Sequence, residues 1–258
     1  MHPILFTIGP VTLYTYGAMM VAGFLTTTWL AGRFAKALAA DSRAINKEQI
    51  IDFTCYSLMG GIIGGRILYV ALQPAFFARH PWEVFALWHG GLVWYGGFFG
   101  GLITGYWYIR SRGLRWLCVL DQFIPFGALG HAIGRIGCFF NGCCYGKPTD
   151  SWCGVFFPGH AERVLPTQLF ETLGLCLLFV LLRKLQTPVL LRKPGAVFSG
   201  YLIGYGLLRF ILEFTRGDQQ IWLAGMTLQQ AISLALILAG TVLISQLPHR
   251  RENKNRPR

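Results

Sequence analysis

The chain has 258 residues, of which 53% are hydrophobic, 15% aromatic and only 13% charged, with a mean hydropathy of +0.47. Soluble domains carry about 25% charged residues, so this composition excludes an ordinary soluble enzyme and points to a chain that lives in a bilayer. A net charge of +12 would suggest nucleic acid in a soluble protein, but here the basic residues fall in blocks between apolar segments, which sets membrane topology and excludes a nucleic-acid surface.

The N-terminal stretch MHPILFTIGP lacks a basic segment, and the apolar run behind it continues past signal-peptide length without a small-residue cleavage site, so no cleavable leader is expected. Apolar segments of spanning length, about 20 residues each, are read near 11–32, 48–73, 92–109, 116–136, 168–182, 197–215 and 227–246. The first holds Tyr16, which on sequence grounds reads as an interface anchor. The second holds Arg66, behind two glycines in GGRILYV. Ahead of the third, WHGGLVWYGGFFGG (88–101) is rich in glycine, which lets a neighbouring helix or a ligand approach the backbone.

The fourth segment leads into GHAIGRIGCFFNGCCYG (130–146), with His131 and Arg135 one turn apart on one helix face. His131 reads either as a satisfied core residue or, beside an intramembrane arginine, as a proton acceptor. The fifth segment opens on PTQLFET, where Glu171 lies in the first turn; a carboxylate suits the positive end of a helix, so a structural role is credible. The sixth carries GYLIGYGLLRFILEFTRGD (200–218), in which Tyr205, Arg209 and Glu213 stand at i, i+4 and i+8 and form one polar stripe on an apolar rod. Arg209 and Glu213 can pair there, and the guanidinium keeps donors for a phosphate.

Of the 23 Lys and Arg residues, sixteen fall on one side of these spans: Arg33, Lys36, Arg43 and Lys47; Arg110, Arg112 and Arg115; Arg183, Lys184, Arg192 and Lys193; and five in the tail PHRRENKNRPR. Only Arg79, Lys147, Arg163 and Arg216 fall on the other. The positive-inside rule then gives an all-α integral membrane protein with seven transmembrane helices, N-terminus periplasmic and C-terminus cytoplasmic. It forms a single domain over 1–258, with a periplasmic loop near 137–167 and a basic cytoplasmic tail at 247–258. Arg66, Arg135 and Arg209 remain inside the spans. A charge near the bilayer centre costs about 2.5–3.5 kcal/mol on insertion scales, which makes each a functional candidate.

Cys138, Cys143, Cys144 and Cys153 fall in the expected outer loop or at its membrane edge. The spacing C-x4-C-C-x8-C lacks the paired C-x2-C of zinc sites, so no metal or other cofactor is expected. A disulfide, for example one involving Cys153, or plain packing ranks ahead. Thiol exchange needs a suitably spaced reactive pair, which adjacent Cys143 and Cys144 are not.

With these segments on the page, the chain resembles the prolipoprotein diacylglyceryl transferase family. The resemblance rests on GRIGCFFNGCCYG and GYGLLRFILEFTR, joined in order by FTIGPVTLYTYG, GGRILYV, HGGLVWYGG, PTQLFE and GMTLQQ, which together span nearly the whole chain. It implies an enzyme of the bacterial plasma (inner) membrane that moves the diacylglyceryl group of phosphatidylglycerol to the lipobox cysteine of preprolipoproteins, releasing glycerol-1-phosphate. It further implies catalytic roles for Arg135 and Arg209, with His131 and Tyr95 at the step that takes the thiol proton. Substrate-binding roles are implied for Tyr16, Arg66, Asn141, Gly146, Glu171, Tyr205 and Glu213. The chain departs from the family pattern at Tyr95, where many members have histidine, and at Cys138 and Cys143, which replace a signature asparagine and glutamate; Asn141 is retained.

Two further readings compete: a transporter or flippase that holds an anionic lipid with the same arginines, or a divergent paralogue without the activity; and a thiol oxidoreductase using the outer cysteines. The transferase reading predicts severe loss on removing Arg135 or Arg209 and mild effects of cysteine changes. The oxidoreductase reading predicts the reverse.

Overall fold

The computed structural model describes residues 2–8, 11–37, 45–87, 90–217, 221–223 and 225–247. Arg43, Trp88, His89, Asp218 and the basic tail from 248 onward lie outside the described residues. The order is a hairpin β1 (Ile4–Ile8) and β2 (Val11–Tyr14), then α1 (Thr15–Ala37), α2 (Lys47–Leu72), a short α3 (Pro74–Arg79), a 3-10 turn (Pro81–Phe85), α4 (Trp94–Ser111) and α5 (Trp116–Asn141). There follow a hairpin β3 (Val155–Phe156) and β4 (Arg163–Val164), α6 (Thr167–Arg192), α7 (Ala196–Glu213), a hairpin β5 (Ile221–Leu223) and β6 (Met226–Thr227), and α8 (Leu228–Gln246).

The protein is therefore mainly helical, and a long helix occupies each expected apolar segment, except that the start of the first, Val11–Tyr14, is strand β2. Of these, α2, α5, α7 and α8 are long and apolar enough to cross a membrane. Three helices run well past their expected ends, α1 among them, which continues beyond 32 to Ala37. Helix α5 continues beyond 136 to Asn141, and α6 continues through Arg183 and Lys184 to Arg192. The segment Leu181-Leu182-Arg183-Lys184-Leu185-Gln186 is made of strong helix formers, so the basic pair extends the helix where a loop was expected.

Contacts group the chain into two compact units, one of residues 32–119 and one of 1–31 with 120–258. In the first, α2 and α4 meet along facing glycines. A Cβ placed on Gly64 would lie 2.4 Å from the Gly96 carbonyl oxygen, and one on Gly100 would lie 2.2 Å from that of Gly60. Gly96, Gly97, Gly100 and Gly101 of the 88–101 motif thus serve helix–helix approach, as small residues do where no hydrophobic force drives helices together. Asn46 and Gln49 cap the start of α2 reciprocally.

In the second unit, α1 crosses α5 at Gly23 and Gly130, and Thr27 Oγ1 donates to the Phe126 carbonyl at 3.0 Å. Ala128, Ala132 and Leu175 form one buried cluster, with Tyr205 and Leu208 packed on it. Leu178, Leu182 and Val197 form another under Tyr201 and Tyr205. Fully buried Asp121, near the start of α5, accepts from the N–H groups of Gly195 and Phe198. It thereby fastens the first turn of α7 to α5 and satisfies donors that a helix start leaves unpaired.

Candidate functional site

Helices α5, α6 and α7 of the second unit carry the polar groups of the site. On α5, His131, Arg135 and Cys138 follow at i, i+4 and i+7 and share a face. Helix α6 begins just after Pro166, which puts Glu171 in its opening turns. Glu171 is 3% exposed and gathers three partners on one oxygen. Arg135 Nη2 lies 3.0 Å from its Oε1, the Tyr205 hydroxyl donates to it at 3.4 Å, and His131 Nε2 is 3.8 Å away. The ring of His131 packs 5.4 Å from that of Tyr205, which stacks on Tyr201.

The stripe read on α7 forms its internal pair: Arg209 Nη2 lies 2.9 Å from Glu213 Oε2, and both side chains are buried. Thr227 Oγ1, at the start of α8, donates to the other Glu213 oxygen at 2.8 Å. Arg135 and Arg209 both act electrostatically on Tyr205, so the two guanidinium groups share one environment. Each is charge-balanced by a carboxylate, yet the Arg135 Nε–H is buried with no hydrogen-bond partner. A buried donor left unpaired is costly, and a fixed guanidinium with a spare N–H suits an anionic oxygen.

Tyr16, in the first turn of α1, lies within electrostatic reach of Arg135, Cys138 and Cys143. Asn141 closes α5, and its side chain bonds Cys143. Gly146 is fully packed: its N–H donates to the Leu165 carbonyl at 2.8 Å, and a Cβ there would meet the Thr215 carbonyl oxygen at 2.6 Å. The other two sequence candidates belong to the first unit. Arg66 donates to five backbone carbonyls, those of Glu83, Val84, Ala86, Gly90 and Gly91, and so ties the backbone at 83–86 and at 90–91 to α2. Tyr95 stands half exposed in the first turn of α4, edge-on to Trp94.

No disulfide joins any of the seven cysteines. The sulfurs of Cys138, Cys143 and Cys144 lie within 4.8 Å of one another, while Cys153 bonds Ser151 Oγ at 3.3 Å instead. The Cys143 N–H donates to the Cys138 carbonyl at 3.2 Å, folding the chain back at the end of α5. Gln168 Nε2 donates to the Cys143 carbonyl at 2.5 Å, and Thr167 Oγ1 to that of Cys144 at 2.7 Å. Hydrogen bonds from the Cys138 and Cys143 thiols, then the Arg135 and Arg216 charges, hold the Cys144 thiol well below its ordinary range. This gathering was not visible in the C-x4-C-C spacing, nor was the hub at Glu171, whose partners lie on other helices.

The sequence profile of a family described as prolipoprotein diacylglyceryl transferase matches residues 3–246. Relatives named phosphatidylglycerol–prolipoprotein diacylglyceryl transferase include one from Clostridium tetani, 36% identical over 249 residues, covering 93% of this chain and 95% of its own. Another, from Cupriavidus pinatubonensis, is 35% identical over 250 residues, covering 94% and 90%. A third, from Nitrosomonas europaea, is 35% identical over 251 residues, covering 94% and 88%.

Proposed function

The chain belongs to the prolipoprotein diacylglyceryl transferase family, and from that premise we propose that its arginine–glutamate site transfers the diacylglyceryl group of phosphatidylglycerol to the lipobox cysteine of a preprolipoprotein. The observation that carries the reading is the Arg135 guanidinium, fixed by Glu171 at 3.0 Å and still holding a buried, unpartnered Nε–H. A phosphate oxygen supplies what that donor lacks, and Arg209 shares the load from α7.

The reaction is a displacement. The acceptor sulfur attacks the glyceryl carbon, the bond from that carbon to the phosphate oxygen breaks, and glycerol-1-phosphate leaves with the electron pair. Arg135 and Arg209 stabilise the charge that grows on the departing oxygen, which is where preorganised donors accelerate a reaction most. An ordinary thiol, with a pKa near 8.5, is mostly protonated at neutral pH and must give up its proton first. His131, whose Nε2 faces Glu171 at 3.8 Å, is the proposed acceptor of that proton. Tyr95 carries a phenol, a poorer proton acceptor than an imidazole.

Tyr16, Asn141, Gly146, Glu171, Tyr205 and Glu213 line or brace the lipid site in this reading, and Arg66 acts by ordering the backbone at 83–86 and at 90–91. The chain is a multi-pass membrane protein. We place it in the bacterial inner membrane with seven spans, the N-terminus and the 142–166 loop outside and the C-terminus in the cytoplasm, on the distribution of its Lys and Arg residues. Family membership favours the transferase over a lipid transporter. The test is glycerol phosphate release by the purified protein in phosphatidylglycerol vesicles, with a lipobox peptide carrying Cys or Ser. Release and a mass gain with the Cys peptide alone are expected. A folded, lipid-binding preparation that releases nothing overturns the proposal.

A further inference from the structure

The three thiols at the end of α5 have no part in the reaction as described so far. Cys138 lies one turn beyond Arg135 on α5. The chain leaves the helix at Asn141 and turns through Gly142, with φ 74°, and Cys144, with φ 64°. Among the described residues Cys144 is the one non-glycine residue in this left-handed region, which the Cβ disfavours. Such strain persists only where the surroundings impose it, and here Thr167 and Gln168 grip the carbonyls of Cys144 and Cys143. The result is three convergent sulfurs, all within 4.8 Å of each other. A disulfide uses two sulfurs, and packing needs no strained backbone. Three converging thiols match a metal ion.

We propose that Cys138, Cys143 and Cys144 bind one zinc-class divalent cation through three thiolates, leaving a fourth position that takes the acceptor thiol. The inference rests on the transferase reading above and deepens it. With metal–sulfur bonds of about 2.3 Å, tetrahedral thiolates stand about 3.8 Å apart, which the observed cluster reaches with little movement. Three protein ligands with one open position is the arrangement of catalytic rather than structural zinc. Among the described residues no histidine, carboxylate or fourth cysteine joins the group. Three thiolates and a dication leave one negative charge, and the Arg135 charge acts on Cys138 and Cys144, with that of Arg216 acting on Cys144 as well. Cys143 and Cys144 are only half buried, so an incoming peptide can reach the ion.

The site gives the acceptor a route to its thiolate. The acceptor S–H binds the cation and loses its proton to solvent, a step that takes the place of the transfer to His131 when the ion is bound. The bound sulfur then attacks the glyceryl carbon, and the bond to the phosphate oxygen breaks. The thioether product carries no charge and leaves the ion, and nothing is oxidised or reduced.

The test uses the full chain in phosphatidylglycerol vesicles, reduced, stripped with a chelator and titrated with Co2+ as a spectroscopic probe. The expected result is one Co2+ per chain, with a sulfur-to-cobalt charge-transfer band and the visible bands of a tetrahedral ion. Alkylation mapping by mass should show Cys138, Cys143 and Cys144 protected by the metal in the native sequence, which requires no variant. Cys138→Ser, Cys143→Ser and Cys144→Ser should each weaken binding by more than the roughly 10–100-fold that losing an outer-shell partner costs, and Cys153→Ser should not. A Cys lipobox peptide, and not its Ser counterpart, should intensify the charge-transfer band. No band, a band that survives the three serine variants, a spectrum indifferent to the Cys peptide, or two of the three sulfurs joined as a disulfide in a metal-indifferent protein overturns the proposal. Glycerol phosphate release is measured separately: turnover without cobalt binding removes this inference alone, and cobalt binding without turnover removes the transferase reading.

Discussion

Glu171→Gln keeps the size and shape of the side chain and an acceptor for Tyr205, and removes only the charge opposite Arg135. Two charges about 4 Å apart attract by about 4 kcal/mol at an effective dielectric of about 20. Arg135 and Glu171 approach to 3.0 Å between nitrogen and oxygen, with side-chain exposures of 18% and 3%. Removing one member of such a buried pair strands the other, which costs about 3–5 kcal/mol. Glu171→Gln should therefore lower unfolding free energy by about 3 kcal/mol, read by tryptophan fluorescence in mixed micelles. The double variant Arg135→Gln/Glu171→Gln should recover at least about 1 kcal/mol of that, because neither charge is then left alone. Glycerol phosphate release by Glu171→Gln should fall about tenfold to a hundredfold, as expected when the group that aims a catalytic guanidinium is lost. A neutral single variant, or additive losses in the double variant, would refute the claim that Glu171 holds Arg135 in place.

Arg209→Lys keeps the charge facing Glu213 but loses the planar fork, so release should fall at least about tenfold; near-native turnover would show that Arg209 serves only as a charge. Arg66→Lys can satisfy at most three of the five carbonyls that the guanidinium now engages. Limited proteolysis should then cut within 83–91 faster than in the native chain, and an unchanged rate would argue against the bracing role. Gly146→Ala puts a Cβ 2.6 Å from the Thr215 carbonyl oxygen and should cost about 1–3 kcal/mol. A melting curve matching the native one would show that the loop can yield there.

The helices were legible because each is a long apolar run, and the pairing of Arg209 with Glu213 was legible because its partners lie four residues apart on one helix. Glu171 was not. Within PTQLFET it looks like a carboxylate favouring a helix start, and its three partners come from α5 and α7, at sequence separations that no local period encodes. Arg66 differs again: its cost inside a span marked it as functional, yet its donors meet backbone carbonyls, so an arginine can be forced into a span by a loop's unmet acceptors as well as by a ligand.

The cysteines show the same limit from the other side. C-x2-C spacing signals a metal site when one tight turn supplies both ligands. Here a helix end supplies the first thiol, and left-handed Gly142 and Cys144 in the turn behind it bring the other two back to it. Periodicity reports which residues share a face of one element. The groups that meet across elements are fixed by where a helix stops, and in this protein Asn141 and the turn behind it bring a thiol cluster to within a helical turn of the arginine that gives the site its charge.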